Sequence, residues 1–179
     1  QKTAYDIRLS LVGSEMCIRD RFITSQETDK VMDDLRLKMS EFLGSDSPDT
    51  ISIGQNMTSL NYSLARALAK KFNSGDEVII TELDHEANRG PWRVLKEAGV
   101  KLIEVSLLQN GELDYEDFRN KINDKTVMVC MGMSSNALGT LNDFISVKSF
   151  LPQNCLFLLD AVHYLSLIHI SEPTRLRRI

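Results

Sequence analysis

The sequence predicts an α/β protein with a three-layer α/β/α core around a mostly parallel sheet. Segments with helical periodicity alternate with short apolar segments, as in sheets whose parallel strands are joined by right-handed crossovers. The segments 126–131 and 156–159 are apolar at nearly every position, so both faces of these strands should be buried. A composition of 42% hydrophobic and 26% charged residues fits a soluble globular core.

The first predicted helix begins at the capping box Thr24–Glu27, where a side-chain oxygen precedes a glutamate by three residues. Val31, Leu35 and Met39 then recur at helical spacing, and Gly44 ends the helix. A short strand is predicted at 50–53, immediately before a polar turn.

Two helix–strand pairs are predicted next. Leu60, Leu64 and Leu68 mark an amphipathic helix, and a turn at 73–75 separates it from a strand at 77–81. Pro91 opens a second helix, which Gly99 closes before a strand at 100–106.

The remaining elements are predicted between 114 and 159. Asp114 caps a short helix that carries Phe118 and Ile122, and a buried strand follows at 126–131. A brief helix at 143–150 leads to the last strand, at 156–159.

The two ends of the chain differ from its middle. Residues 1–21 have no clear periodicity, and residues 166–179 turn abruptly basic. Both stretches resemble translated sequencing-adapter read-through; the alternative is a natural disordered leader and a natural basic tail. We therefore expect one folded domain at 22–165, assign Cys17 and His169 to no site, and expect the gene to continue beyond Tyr164.

Charge and cysteine content restrict the class of protein. A formal net charge of −4 argues against nucleic acid or an anionic membrane as a partner. No apolar run approaches the ~20 residues of a membrane-spanning helix. Cys130 and Cys155 lie in apolar runs without a CxxC pair, which is typical of reduced core cysteines in a cytoplasmic protein.

Four polar loops follow predicted strands, at 54–58, 82–88, 134–140 and 160–163. Ligands of open α/β sheets bind just beyond the carboxyl ends of the strands. The first loop leads directly into a helix, whose free N–H groups can bind an anion, although Asn56 could equally be an ordinary N-cap. In the second loop, His85 could be a metal ligand, a base or a stacking group, but no HxxxH spacing or cysteine partner supports zinc.

The last two loops add an amide and an acid. Asn136 lies in a Ser/Asn turn, a pattern that often reflects turn chemistry alone. Asp160 could bind a ribose, a metal or a protonated ring nitrogen, but the chain has neither a GxGxxG turn nor a P-loop. An anion cradle, a flat ring, an amide and an acid together suit a planar phosphorylated cofactor with a basic ring nitrogen. Pyridoxal phosphate is such a cofactor. Its chemistry needs an electron sink, and a carboxylate that keeps the ring nitrogen protonated supplies it.

The same loops resemble the class V aminotransferase and cysteine desulfurase family, which has the aspartate-aminotransferase-like fold. The matching segments, in the order in which the family has them, are Asn56–Asn61, Asp84–Trp92, Ser135–Thr140 and Asp160–His163. The resemblance covers about residues 22–165, part of the family's larger, cofactor-binding domain.

The resemblance implies a role for each site residue. Asn56 and Met57, mainly through backbone N–H groups, would hold the phosphate with Thr58 nearby. His85 would stack on the pyridine ring, and Asp160 would pair with the ring nitrogen. The ring's phenolic oxygen would be approached by Asn136 and His163, and the two histidines would be the catalytic residues. The turn Gln55–Thr58 replaces the family's usual Gly-Thr-Thr-Glu, which puts the side-chain part of the phosphate contact in question.

Several family features are absent from these 179 residues. No lysine occurs after Lys148, and none occupies the position of the family's Schiff-base lysine. The substrate-binding arginine, the small C-terminal domain and the mobile-loop cysteine of desulfurases would also lie further on. We expect the chain as written to be inactive and the parent enzyme to act, as a homodimer and without a metal, on an amino acid.

The substrate and the reaction remain open at this stage. A cysteine desulfurase, a selenocysteine lyase and a related aminotransferase or epimerase all fit the resemblance. A non-catalytic binding or scaffold module of the same fold is the alternative, against which the combination of His85, Asn136 and Asp160 argues. A nucleotide-binding α/β protein of another class is disfavoured because the chain has no Gly-rich phosphate loop.

Overall fold

The computed structural model describes residues 23–168, with side chains described from 26 to 165. The chain divides into two compact units, one ending at Ile53 and the other beginning at Gly54. The helices are α1 (Ile23–Leu43), α2 (Met57–Leu68), α3 (Tyr115–Lys121), α4 (Phe144–Ser149) and α5 (Val162–Ile168). The strands are β1 (Glu77–Thr81), β2 (Lys101–Val105), β3 (Thr126–Gly132) and β4 (Leu156–Asp160). Three 3-10 helices span Pro48–Thr50, Glu86–Asn88 and Gly90–Ala98.

The first unit contains α1 and the 3-10 helix Pro48–Thr50. The predicted strand at 50–53 is wrong. Ser47 caps the 3-10 helix and Pro48 opens it, so that the N–H of Ile51 donates to the carbonyl of Pro48 instead of to a neighbouring strand. Thr24 lies within α1, and its predicted capping side chain is outside the described side chains.

The apolar face predicted for α1 is mostly exposed within this unit. Val31 is 64% exposed and Leu35 40% exposed. The helical spacing of these apolar residues thus predicted the helix correctly, although the face that they form is not buried within this unit.

The second unit is built around a four-stranded sheet with the order β2-β1-β3-β4. Every pairing between these strands is parallel. Thr81 pairs with Val105, and Gly132 pairs with Asp160, so neighbouring strands end nearly level with each other. The predicted parallel sheet is confirmed.

Both faces of the sheet are covered, although β4 is an edge strand that is only partly buried, with Leu156 46% exposed, whereas full burial was predicted for it. On one face, α2 and the 3-10 helix Gly90–Ala98 pack Ala65, Leu68, Trp92 and Leu95 against Val78, Ile80, Met128 and Cys130. On the other face, Phe118 from α3 and Val147 from α4 pack against Ile79, Val129 and Met131. Trp92 and Phe118 are fully buried, and each side chain contributes roughly 4–6 kcal/mol of transfer free energy. The three-layer α/β/α core is confirmed.

Two helices of this unit differ from their predictions. The buried face of α2 consists of Asn61, Ala65 and Leu68, whereas Leu64 is 40% exposed. The segment Gly90–Ala98 forms a 3-10 helix, which Gly99 ends with a φ of 79°. That left-handed conformation suits glycine, since an L-residue with a side chain rarely adopts it.

Candidate functional site

The carboxyl ends of β1, β3 and β4 lie side by side, as the sequence predicted. The N–H of Met133, just after β3, donates to the carbonyl of Asp160 at 2.9 Å. The loops that follow these three strands therefore leave the same edge of the sheet, where open α/β sheets bind their ligands.

Asp160 is the last residue of β4 and is partly buried. Its Oδ1 accepts a hydrogen bond from the backbone N–H of Val162 at 3.0 Å, at the beginning of α5. In the described part of the chain no protein group donates to the other carboxylate oxygen. One oxygen thus holds the side chain in place, and the second can accept a hydrogen bond from a ligand.

His85 begins the short 3-10 helix Glu86–Asn88 on the loop after β1. Its side chain is exposed, and its Nδ1 accepts a hydrogen bond from the N–H of Ala87 at 3.1 Å. Because Nδ1 is an acceptor here, the neutral ring carries its proton on Nε2. The bond also restricts rotation of the imidazole, so that the ring is held while its surface stays accessible.

The N-terminus of α2 supplies backbone donors on the same side of the sheet. Asn56 is the N-cap, with its Oδ1 accepting from the N–H of Ser59 at 2.9 Å. The first N–H groups of the helix, those of Met57 and Thr58, have no partner within a helix by geometry and can bind an anion. Asn56 is therefore an ordinary N-cap, and anion binding at the same helix end stays a prediction.

A hydrogen bond connects α2 to the loop that carries His85. Buried Asn61, in the second turn of α2, donates from its Nδ2 to the carbonyl of Ala87 at 3.0 Å. The 12 residues of α2 span about 18 Å, close to the ~17 Å of β1. Since the helix ends shortly before β1 begins, its N-terminus lies toward the carboxyl edge.

The loop after β3 is held by its own hydrogen bonds. The Oγ of Ser135 accepts from the N–H groups of Ala137 and Leu138, at 3.2 and 3.1 Å. Buried Asn142 donates to the carbonyl of Gly132 at 2.7 Å and closes the base of the loop. Asn136 is exposed within this loop, which leaves the carboxyl edge of the sheet.

His163 lies in the first turn of α5 and is exposed. Its position three residues after Asp160 places it near the carboxyl edge. The structure thus brings the predicted residues of the loops to one edge, and among the described residues it shows no hydrogen bond that joins Asn136 or His163 to the rest of the site.

Asp84 is a site residue to which sequence reasoning gave no role of its own. Its Oδ1 accepts from the N–H of Gly132 at 2.6 Å, and its Oδ2 accepts from the Nδ2 of Asn88 at 3.3 Å. The residue as a whole is partly exposed, but its carboxyl group points into the fold. The signal in the sequence that could have indicated this role was local. Asp84 lies four residues before Asn88 and next to Leu83, which is buried.

Burial is the main influence on the charge of Asp84. Burial raises the pKa of Asp84 to about 7, the N–H of Gly132 opposes the rise, and the negative charge of Asp160 adds to it. This acidic neighbour of Asp160 could not be predicted, because Asp84 is 76 positions earlier in the chain and only the order of the strands brings the two acids together.

The described cysteines, Cys130 and Cys155, are both free thiols. Burial raises the pKa of Cys130 well above its ordinary value and that of Cys155 to about 11. Nucleophilic cysteines need the thiolate near neutral pH, so neither residue has the environment of an activated nucleophile.

The donors and acceptors at this edge fit a planar, phosphorylated pyridine. An acid with one unbonded oxygen suits a protonated ring nitrogen, and the first N–H groups of α2 suit a phosphate. Within residues 23–168, no group of three or more acidic, histidine or cysteine side chains is arranged to hold a metal ion. No helix in that range is long and apolar enough to span a membrane.

Comparison with known proteins points to one family. The model of the class V aminotransferase family matches residues 15–171. Aminotransferase-like protein FGM3 of Gibberella zeae is 30% identical over 159 residues, and a cysteine desulfurase of Pectobacterium atrosepticum is 31% identical over 131 residues. These alignments cover 86% and 72% of this chain but only 39% and 31% of the relatives, so the chain spans about a third of their length.

Solved structures share the fold. The apo structure of the cysteine desulfurase from Thermococcus onnurineus NA1 superposes with a TM-score of 0.70 and 24% identity, over 79% of this chain and 35% of that one. Histidinol-phosphate aminotransferase from Sinorhizobium meliloti, in complex with pyridoxal-5'-phosphate, gives a TM-score of 0.61 at 18% identity, over 79% of this chain and 38% of that one.

Proposed function

Because the chain belongs to the class V aminotransferase family, we propose that it forms part of the cofactor-binding domain of an enzyme that acts on an amino acid. The cofactor of this family is pyridoxal 5'-phosphate. Asp160 is the observation that supports the proposal best, because one of its oxygens is held by Val162 and the other is open at the sheet edge. A relative named as a cysteine desulfurase favours a reaction of that type, and the chemically related selenocysteine lyase reaction is proposed beside it.

Each site residue would have a distinct task. The N–H groups of Met57 and Thr58, at the capped start of α2, would bind the phosphate, with Asn56 fixing the helix end. His85 would lie against the face of the ring, in the orientation set by its bond to Ala87. When bound, the cofactor supplies an electron sink for bonds to the substrate's α-carbon.

The remaining residues would handle charge and protons. Asp160 would accept the hydrogen of the ring nitrogen and keep that nitrogen protonated. Asn136 and His163 would approach the phenolic oxygen from the loops after β3 and β4. His85 and His163 would be the two catalytic histidines, and we propose that the protein works as a cytoplasmic homodimer in which no metal takes part.

We further propose that covalent attachment requires a lysine outside these 179 residues. The last lysine of the chain, Lys148, lies in α4. If a resident lysine were present, borohydride reduction with pyridoxal phosphate would give one stoichiometric pyridoxyl-lysine. We expect only scattered, substoichiometric labelling in peptide maps, and no sulfide release from L-cysteine. One fully labelled lysine would overturn this proposal.

The binding proposal is tested with pyridoxamine 5'-phosphate, which has no aldehyde and cannot react with surface lysines. Amide NMR spectra of the 179-residue chain should show saturable shifts at Met57 and Thr58, with Asp160 and Val162 affected in parallel. Pyridoxamine without its phosphate is the matched control, and it should leave Met57 and Thr58 unshifted. Equal responses to both compounds, or shifts only at other places, would contradict the proposed phosphate cradle.

A non-catalytic binding or scaffold module of the same fold is the second candidate. In that case we expect saturable binding of pyridoxamine phosphate without any chemistry on added amino acids. If the chain neither binds pyridoxamine phosphate nor acts on amino acids, both candidate functions are excluded.

A further inference from the structure

Asp84 joins the loop that carries His85 to the end of β3. Its Oδ1 accepts from the N–H of Gly132 at 2.6 Å, and its Oδ2 accepts from the Nδ2 of Asn88 at 3.3 Å. Asn88 is fully buried, and its carbonyl accepts from the indole N–H of Trp92 at 2.7 Å. The loop is therefore fixed on both sides of His85, to the sheet through Asp84 and to the core through Asn88.

The contact with Gly132 depends on the absence of a side chain there. A Cβ at Gly132 would lie 2.9 Å from the Oδ1 of Asp84, closer than a carbon and an oxygen normally approach. In the register of the sheet, Gly132 is the partner of Asp160. Asp84 is thus bonded to the residue that pairs directly with the acid proposed for the ring nitrogen.

Two carboxylates at this edge would repel each other if both were charged. Burial and the negative charge of Asp160 favour the neutral form of Asp84, against the opposing effect of the N–H of Gly132. The other titratable group that faces Asp84 from β3 is Cys130, a thiol whose raised pKa keeps it neutral. On the same loop, Glu86 is exposed and forms an ion pair with Arg93 at 2.8 Å.

Asn88 provides an acceptor for a proton on Asp84. Its Oδ1 is buried and has no hydrogen-bond partner among the described residues, while its Nδ2 faces the Oδ2 of Asp84. Rotation of the amide by half a turn exchanges these two atoms. A protonated Asp84 can then donate to the Oδ1 of Asn88 and keep accepting from Gly132, so that the neutral form loses no hydrogen bond.

We propose that Asp84 is a positioning residue that fixes the loop of His85 to the sheet, and that in its neutral form it leaves the negative charge at the ring nitrogen to Asp160. The first half of the proposal rests on the hydrogen bonds alone. The second half rests on the proposed function, because it supposes a ring nitrogen beside Asp160.

The first test uses the amide resonance of Gly132, which reports the bond to Asp84 without any cofactor. In the unaltered chain this resonance should shift with pH, with a midpoint near the pKa of Asp84 at about 7. Asp84→Asn should abolish the titration yet keep a downfield resonance, because the amide oxygen still accepts. Asp84→Ala should move the resonance upfield, and Asp124→Asn, at an exposed acid, should change nothing.

The second test compares affinities for pyridoxamine 5'-phosphate at pH 6. Asp84→Asn should bind within about threefold of the unaltered chain, and Asp84→Ala should bind on the order of tenfold more weakly, as expected when a hydrogen bond worth about 1.4 kcal/mol is lost. A Gly132 resonance that does not change in Asp84→Ala, or an Asp84→Asn variant as impaired as Asp84→Ala, would overturn the proposal.

The two tests separate failure of this proposal from failure of the proposed function. If no variant binds pyridoxamine phosphate, the proposed function fails together with the second half of the inference. The Gly132 resonance still decides whether Asp84 fixes the loop. If Asp84→Ala does not fold, the titration of the unaltered chain and the affinity of Asp84→Asn still decide the outcome.

Discussion

At the scale of single residues, Asp84 and Asp160 have the same chemistry in different surroundings. Asp160 ends β4 with one oxygen bonded to a backbone N–H and the other open. Asp84 has both oxygens bonded to protein groups, and burial raises its pKa to about 7. The environment thus separates an acid that can serve a ligand from an acid that holds a loop.

The orientation of His85 leads to a prediction about stacking. His85→Ala removes the ring, whereas His85→Phe keeps an aromatic surface but loses the Nδ1 acceptor for Ala87. Aromatic contacts are worth about 0.5–1.5 kcal/mol beyond their buried area, so His85→Ala should weaken pyridoxamine phosphate binding by roughly twofold to tenfold. His85→Phe should recover most of that loss in a fluorescence titration. Equal affinity of His85→Ala and the unaltered chain would show that the ring does not stack.

The two described cysteines lead to a prediction about reactivity. The pKa of Cys155 is raised from 9.0 to about 11, so its thiolate fraction at pH 7 is about a hundredfold lower than that of an ordinary thiol. Iodoacetamide should therefore leave Cys130 unlabelled in the native chain and modify Cys155 far more slowly than glutathione. Peptide mapping after timed quenching measures both rates. Rapid labelling of either residue would contradict the assignment of both as structural thiols.

The loops that meet at the carboxyl edge of the sheet could be predicted from the sequence, whereas the contacts of their residues could not. His85 and Asn136 follow strands and Asp160 ends one, so the rule for parallel sheets was enough to place them at one edge. The role of Asp84 depends on a bond to Gly132, 48 positions along the chain, and no local pattern carries that information. Only the strand order, with β3 between β1 and β4, determines it.

At the scale of secondary structure elements, periodicity and capping residues predicted the second unit better than the first. Asp114 and Asp143 cap α3 and α4 where the predicted helices begin. The segment 50–53 failed because Pro48, after the capping Ser47, favours a tight 3-10 turn over an extended strand. The buried face of α2 shifted because Asn61 bonds to Ala87, so that a polar residue lies where the pattern favoured leucine.

The cap of α3 gives a prediction at this scale. The Oδ1 of Asp114 accepts from the N–H groups of Glu116 and Asp117, at 3.0 and 2.9 Å. Asp114→Ala should lower the free energy of unfolding by roughly 0.5–2 kcal/mol, measured by urea denaturation. Asp124→Ala removes the same charge from an exposed position and should cost less than about 0.5 kcal/mol. If the two variants lose the same stability, the cap is not what stabilises α3.

At the scale of the whole molecule, the raised pKa of Asp84 makes stability depend on pH. In the folded chain Asp84 keeps its proton up to about pH 7, whereas in the unfolded chain its pKa is near the ordinary 3.8. Between these values the native state binds more protons, so the contribution of Asp84 to the free energy of unfolding decreases as pH rises from about 4 to about 7 and then levels off.

Asp84→Asn removes this contribution and isolates it from those of other acids. Asp117 and Asp143 have lowered pKa values, so their stabilisation is lost only as the pH falls below the ordinary range for carboxylates. The urea midpoint of Asp84→Asn minus that of the unaltered chain should increase from pH 4 to pH 7 and remain constant above that. A difference that does not change with pH would show that Asp84 is ionised throughout.

If Asp160 binds the ring nitrogen of a pyridoxal-type cofactor, the Asp160→Asn variant should lose affinity for pyridoxamine 5'-phosphate. A hydrogen bond to a charged group is worth about 1.5–3 kcal/mol, so the variant should bind roughly 10- to 150-fold more weakly at pH 8. Asp143→Asn makes the same substitution at an exposed capping residue of α4 and should bind like the unaltered chain. We predict a loss of affinity in Asp160→Asn alone, and unchanged affinity in that variant would show that Asp160 does not bind the ring nitrogen.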